Sequence, residues 1–151
     1  ERHQKRILFW EGLLQVLNDR IDLFRNISPS RDNWISTSTG VSDVNFMIAI
    51  MLDGATIKLV MGKGGEQKEL NKIIFDYLYD RKDEIEKKFG KEINWRRMDN
   101  QISSRIEYDM GNFGLRDEST WELGYKTIAD VLIKWDEAFR PYFPGIRKIR
   151  L

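Results

Sequence analysis

The stretch that decides the fold is residues 43–61, DVNFMIAIMLDGATIKLVM, in which two strand-forming runs flank the dipeptide Asp53-Gly54. In the first run every second residue from Val44 to Leu52 is apolar, which is the period of a strand with one buried face. Asp-Gly is favoured in two-residue hairpin turns, and a strand that follows so short a connection must return antiparallel. This stretch therefore predicts an antiparallel hairpin within a sheet.

Helical patterns lie on both sides of this hairpin. Apolar residues spaced by three and four predict a first helix over 7–24, and a polar stretch at 33–39 predicts a short additional strand before the hairpin. The same spacing predicts one long second helix over 66–89, with Gly90 placed to cap its C-terminus.

The second half of the chain repeats this alternation. A second strand pair is predicted at 92–98 and 101–110, and a third helix at 120–139 with Ser119 or Thr120 as its N-cap. The element order α-β(β)β-α-β-β-α, with four to five strands and three long helices, predicts an α+β fold built on an antiparallel sheet. The 151 residues suit a single domain over 1–151, which could form the C-terminal part of a longer protein.

The composition excludes several kinds of active site. The chain has no cysteine and a single histidine, His3, so disulfides and zinc–thiolate sites are excluded and histidine-based catalysis is disfavoured. No apolar run approaches the roughly 18 residues that span a bilayer. The sequence therefore predicts a cytoplasmic protein that binds no membrane, cofactor or metal. It assigns no catalytic residue.

The glycine-rich stretch 60–68, VMGKGGEQK, has two interpretations. Glycine N–H groups at the start of a helix can cradle a phosphate, and Lys63 and Lys68 would add positive charge. The spacing fits neither the P-loop nor the dinucleotide-binding fingerprint, and Glu66 would repel a phosphate at the helix N-terminus. The pattern therefore favours a connecting turn, whose lysines remain available to nucleic acid.

A metal-dependent nuclease core is one alternative. Restriction-type nucleases hold a divalent metal with an acid on one strand and a (D/E)-x-K motif on the next. Asp43 and Lys58 lie on comparable predicted strands, and Glu11 lies on the preceding helix. The residue two before Lys58 is Thr56, a poor ligand for a hard cation, so this alternative is a degenerate core.

Positive charge is concentrated locally, although the net charge is only +1. In the predicted register, basic side chains share the sheet face that points away from the helices. The C-terminal segment FRPYFPGIRKIRL places cations beside aromatic rings, which is typical of nucleic-acid contacts. An ordinary solvated surface would carry the same residues. The candidate nucleic-acid-binding residues are Lys58, Lys63, Arg96, Arg105, Arg147, Lys148 and Arg150.

Several ordered features resemble a known family. They include the helix end IEKKFG, a Trp before the hairpin, a Trp-led helix that closes with Phe139, and two motifs formed by Arg6, Phe9 and Trp10 and by Ile93, Trp95 and Arg97. Together they resemble the prokaryotic family called domain of unknown function 4268, over nearly the whole chain. Such domains often lie C-terminal to nuclease-like modules of the restriction-endonuclease superfamily, so the resemblance implies an accessory role in DNA handling or defence.

The leading hypothesis from the sequence is a non-catalytic module that binds nucleic acid or docks a nuclease-like module, upstream or in trans. Two alternatives stay open. One is the degenerate metal-dependent nuclease, and the other is a homodimerisation module that uses the apolar stripes of the first and third helices.

Overall fold

Five antiparallel strands form one sheet in the computed structural model, which describes residues 1–151. The strands are β1 (Trp34–Val41), β2 (Val44–Met51), β3 (Gly54–Met61), β4 (Asn94–Arg96) and β5 (Ser104–Met110). Their order across the sheet is β1-β2-β3-β5-β4. This architecture confirms the predicted α+β class and the predicted antiparallel sheet.

Two-residue turns at 42–43 and 52–53 join the first three strands. Gly54, predicted as the second turn residue, is instead the first residue of β3. A Cβ atom at this position would lie 2.7 Å from the carbonyl oxygen of Met110. The glycine is therefore required by the close approach of Met110, and not by the turn itself.

The helices are α1 (Arg2–Arg20), α2 (Lys68–Tyr79), α3 (Lys82–Phe89), α4 (Trp121–Phe139) and α5 (Phe143–Arg147). None of them is both long and apolar enough to cross a lipid bilayer. The predicted single helix over 66–89 is wrong, because the chain breaks at Asp80 and Arg81. There the Arg81 N–H donates to the carbonyl of Leu78 at 2.9 Å, and its guanidinium donates to the carbonyl of Tyr77 at 2.7 Å. These bonds satisfy carbonyls at the end of α2 and allow a new helix to begin.

The C-terminus of α1 differs from the prediction, whereas that of α3 agrees with it. α1 ends at Arg20, before the apolar pattern does, and Ile21 has extended backbone with φ −154°. Phe24 is nevertheless fully buried, so the apolar spacing outlasts the helix. Gly90 caps α3 in the left-handed conformation with φ 93°, as predicted.

The capping residue before α4 differs from the prediction. Asp117, rather than Ser119 or Thr120, carries the capping side chain, and its carboxylate accepts the Ser119 N–H at 3.0 Å. A single 3-10 turn at Glu118–Thr120 follows Asp117 and leads into α4. The apolar stripe predicted for this helix is buried as expected: Trp121, Tyr125, Ile128, Leu132, Trp135 and Phe139.

The chain divides into two units, and the first has an aromatic centre. The ring of Phe9 packs edge-on against Trp10 and Trp121, with 5.4 Å between centroids in both pairs. Tyr125 packs on the same ring at 5.1 Å, and Arg20 of α1 pairs with Asp130 of α4 at 2.7 Å. Unit 1 comprises Glu1–Thr37, Met47–Ile57 and Asp109–Ile133.

The second unit packs α2 and α3 against the β4–β5 pair. Trp95 of β4 contacts the ring of Phe75 with centroids 6.1 Å apart. The carboxylate of Glu86 on α3 accepts the indole N–H of Trp95 at 3.0 Å and the backbone N–H of Ile93 at 2.9 Å. Unit 2 comprises Ser38–Phe46, Lys58–Tyr108 and Lys134–Leu151.

The buried phenol of Tyr125 predicts a pH dependence of stability. Burial raises the pKa of Tyr125 to about 12, and the charges of Glu122 and Glu118 act in the same direction. Because the folded pKa lies above the unfolded value of about 10, the stabilisation is fully present below pH 10 and is lost as the pH rises towards 12. The full loss corresponds to about 2–3 kcal/mol.

Urea denaturation of the wild type and Tyr125→Phe at pH 9 and pH 11 measures this loss of stability. Phenylalanine cannot ionise in the unfolded state, so the stability of the variant relative to the wild type should rise by about 1 kcal/mol between the two pH values. Parallel pH dependences for the two proteins would contradict the assignment.

Candidate functional site

A groove of about 550 Å³ in unit 2 brings together the β1–β2 turn, the glycine loop, α2 and the C-terminal segment. We call it the basic groove. Its side chains fall into two groups, a set of cations and a set of aliphatic residues. The residues that line it are Gly40, Val41, Ser42, Lys63, Gln67, Leu70, Ile74, Ile146, Arg147, Ile149, Arg150 and Leu151.

Three cations and no aspartate or glutamate line the basic groove. The Lys63 ammonium donates to the carbonyl of Ser42 at 2.6 Å, and the Arg147 Nε donates to the carbonyl of Gly40 at 3.3 Å. The guanidinium of Arg150 donates to the carbonyl of Arg147 at 2.7 Å. Neutral carbonyls thus hold the three side-chain cations without cancelling their charge, and further N–H groups of these side chains are available to a ligand.

Gly40 allows one of these cations to approach the backbone. It has φ 96°, in the left-handed region that favours glycine, and a Cβ atom there would lie 3.2 Å from Arg147 Nη2. The Gly40 N–H also donates to the hydroxyl of Ser38 at 3.0 Å. The end of β1 is therefore shaped to accept the guanidinium of Arg147.

Aliphatic side chains make up the second group that lines the groove, and we call them the aliphatic wall. Ile74 and Ile146 are each only 2% exposed and anchor the wall in unit 2. Leu70 and Ile149 are half-buried and present part of their surface to the groove. The aliphatic wall consists of Leu70, Ile74, Ile146, Ile149 and Leu151.

Three N–H groups of the glycine-rich stretch 60–68 have hydrogen-bond partners within the protein. The Gly62 N–H donates to the carbonyl of Asp43 at 2.9 Å, the Lys63 N–H to the side chain of Asn71 at 3.1 Å, and the Gln67 N–H to the carbonyl of Gly64 at 3.2 Å. A phosphate cradle needs such N–H groups to be free. The loop contributes the side chains of Lys63 and Gln67 to the groove instead.

Two buried polar residues of α2 hold the surrounding loops, and the sequence pattern gave no sign of them. Asn71 is fully buried, and its amide N–H groups donate to the carbonyls of Lys63 and Ile102 at 2.8 and 2.9 Å. The neighbouring Lys72 is buried as well. In the sequence, adjacent polar residues such as Asn71 and Lys72 fit the solvent-facing side of an amphipathic helix. Only the three-dimensional contacts reveal that they are buried and hold the loops.

Lys72 holds the segment between β4 and β5. Its ammonium lies 2.7 Å from the carbonyl of Arg97, 2.8 Å from those of Met98 and Ser103, and 2.9 Å from the hydroxyl of Ser104. An ammonium has three N–H groups, so these four oxygens share them. One side chain thus fixes both ends of residues 97–104.

This arrangement explains why the strands of that pair are shorter than predicted. The predicted strands at 92–98 and 101–110 shrink to β4 and β5, because carbonyls at their ends face Lys72 rather than a neighbouring strand. Met98 adopts φ 58° between them. Burial lowers the pKa of the Lys72 ammonium, and repulsion from Lys68 and Arg97 lowers it further.

The predicted sheet-face cations lie on the strands and not in the basic groove. Asn94 pairs with Glu107 and Arg96 with Arg105, so these side chains point away from the face that carries Trp95, in the predicted register. Arg96 lies 3.4 Å from the carboxylate of Glu107, which offsets part of its charge. Lys58 on β3 is half-buried.

The structure therefore separates the seven predicted cations. Lys63, Arg147 and Arg150 meet in the basic groove, while Lys148 is exposed beyond the end of α5. Sequence reasoning missed the groove's polar and glycine positions, chiefly Gly40, because nothing in a linear pattern joins β1 to the C-terminal segment.

The acidic residues of the nuclease alternative do not cluster into a metal site. Asp43 lies in the β1–β2 turn with φ 59°, and not within a strand as predicted. Thr56 donates its hydroxyl to Asp109 at 2.7 Å. The structure contains no group of three or more histidine, aspartate or glutamate side chains that could hold a metal ion.

Fold and groove together define the class: an α+β protein with a five-stranded antiparallel sheet and a cationic groove beside an aliphatic wall. A family model described as Domain of unknown function (DUF4268) matches residues 5–143. The chain belongs to this family, which confirms the resemblance seen in the sequence. No curated protein and no solved structure matches the chain.

Proposed function

We propose that the protein is a non-catalytic module that binds nucleic acid, with the basic groove as its main contact to the phosphate backbone. The observation that carries the proposal is the meeting of Lys63, Arg147 and Arg150 in a groove lined by no acidic side chain. These cations come from parts of the chain more than 80 residues apart, and the fold converges them on one site.

Local charge is what matters for this activity. The net charge of +1 gives the whole protein little attraction for a polyanion, and charges more than about 8–10 Å away are screened at ordinary ionic strength. Three cations that line one groove act on a bound phosphate over distances shorter than this screening length. Each phosphate that such a cation neutralises releases counterions, so binding should weaken steeply with salt.

The test is a triple variant, Lys63→Gln/Arg147→Gln/Arg150→Gln, titrated against a fluorescently labelled 12-nucleotide DNA by anisotropy. At low salt we expect an affinity loss of at least about tenfold, because three phosphate contacts are removed. The slope of log K against log salt should become shallower by about two.

The matched control removes the same charge from another surface of unit 2, with Lys87→Gln/Lys88→Gln/Lys91→Gln. All three of these lysines are exposed and lie outside the groove. Equal losses in the two triple variants, or wild-type binding that does not respond to salt, would refute the groove as the contact. Docking of a nuclease module and homodimerisation stay predictions from the sequence.

A further inference from the structure

We propose that the basic groove receives one unpaired nucleotide, with its phosphate against the cations and its base and sugar against the aliphatic wall. This inference rests on the proposed function and specifies the form of nucleic acid that the site selects. A single-stranded segment or a free nucleotide would present the same chemistry.

The aliphatic wall is the first reason. A site that only tracks a duplex backbone meets charged phosphates and sugars, and gains little from an apolar surface. In a duplex the base faces are stacked on one another, whereas an unpaired base exposes an apolar face that can cover aliphatic side chains. Leu70 and Ile149 are half-buried and line the same groove as the cations, so such a face could cover them.

The size of the groove is the second reason. A volume of about 550 Å³ lies within the range of about 300–1,000 Å³ found for pockets that enclose small molecules. One nucleotide can enter a pocket of this size. A duplex can only place phosphates at its rim, where it leaves the aliphatic wall uncovered.

The third reason is the polar group beside the wall. The exposed side-chain amide of Gln67 lines the groove and carries both donors and an acceptor. It can therefore hydrogen-bond to the edge of any base by rotating its amide. No aromatic ring lines the groove, so we expect weak selection among bases and a preference set by strandedness.

The experiment compares three DNAs of equal length by anisotropy: a single strand, a blunt duplex, and a duplex with a four-nucleotide overhang. We expect the single strand and the overhang to bind at least about fivefold more tightly than the blunt duplex. Leu70→Gln/Ile149→Gln should remove this preference, because it weakens the binding of the single strand and the overhang more than that of the blunt duplex. Leu123→Gln, at an exposed position of α4 in unit 1, is the control and should change neither.

The outcomes separate the two proposals. If the blunt duplex binds as tightly as the single strand and Leu70→Gln/Ile149→Gln has no selective effect, the inference is wrong while the nucleic-acid proposal stands. If none of the DNAs binds, but adenosine monophosphate shifts the amide resonances of groove residues, the site takes a free nucleotide and the nucleic-acid proposal fails. If neither DNA nor adenosine monophosphate binds, both proposals fail.

Discussion

Replacing Lys72 with methionine is expected to lower the free energy of unfolding by about 3 kcal/mol, or the melting temperature by about 6–12 °C. Methionine fills nearly the same volume but donates no hydrogen bond. All three carbonyls would lose the ammonium. That of Arg97 would keep the Ser104 hydroxyl at 2.7 Å and that of Met98 the Gln101 N–H at 2.9 Å, so the carbonyl of Ser103 would be affected most. Burial of the charged ammonium is unfavourable, and this lowers the pKa of Lys72. Methionine removes that unfavourable contribution, but this gain offsets only part of the lost hydrogen bonding.

The effect should be local before it is global. In hydrogen exchange, amides of residues 97–104 should lose protection in Lys72→Met, because the side chain that fixes both ends of this segment is gone. Lys68→Met is the matched control. It makes the same substitution at an exposed position in the first turn of α2 and should change stability by less than about 0.5 kcal/mol. Equal stabilities for the two variants would show that the Lys72 contacts contribute nothing.

Gly114→Ala is expected to cost about 3 kcal/mol through a clash between backbones. A Cβ atom on Gly114 would lie 2.6 Å from the Cα of Asp53 and nearer still to the carbonyl oxygen of Leu52. The segment cannot shift freely, because the N–H groups of Leu115 and Arg116 donate to the carbonyls of Met51 and Leu52 at 2.9 and 3.1 Å. Relief of the clash would require these bonds to break.

Thermal and urea denaturation of Gly114→Ala measure this cost. The matched control is Gly64→Ala, because a Cβ atom at Gly64 meets nothing within 4 Å. There the loss of chain entropy in the unfolded state should leave stability unchanged or raise it by about 0.5 kcal/mol. A Gly114→Ala protein as stable as Gly64→Ala would mean that the loop after β5 adjusts without cost.

Much of the fold could be predicted because its information is periodic. Alternating apolar residues located β2 and β3, and spacing by three and four located α1 and α4. The errors occur where a side chain, rather than periodicity, ends an element. Arg81 divides the predicted second helix, and Lys72 shortens the last two strands; neither residue differs in type from ordinary solvated cations nearby.

The candidate site was only partly predictable for a related reason. Charge composition identified Lys63, Arg147 and Arg150 as candidates, but it could not distinguish them from Arg96, whose charge Glu107 offsets. Convergence on a groove depends on tertiary contacts such as Arg147 with Gly40. Such contacts join residues over 100 positions apart, and no local pattern encodes them.

The open space around Gly64 has a practical consequence. The chain has no cysteine, so Gly64→Cys would create a unique thiol. It would stand one residue from Lys63, at a position where a side chain meets no neighbouring atom within 4 Å. A fluorophore attached there would sit beside the basic groove without displacing any packed group, and the protein would become a reporter of its own occupancy.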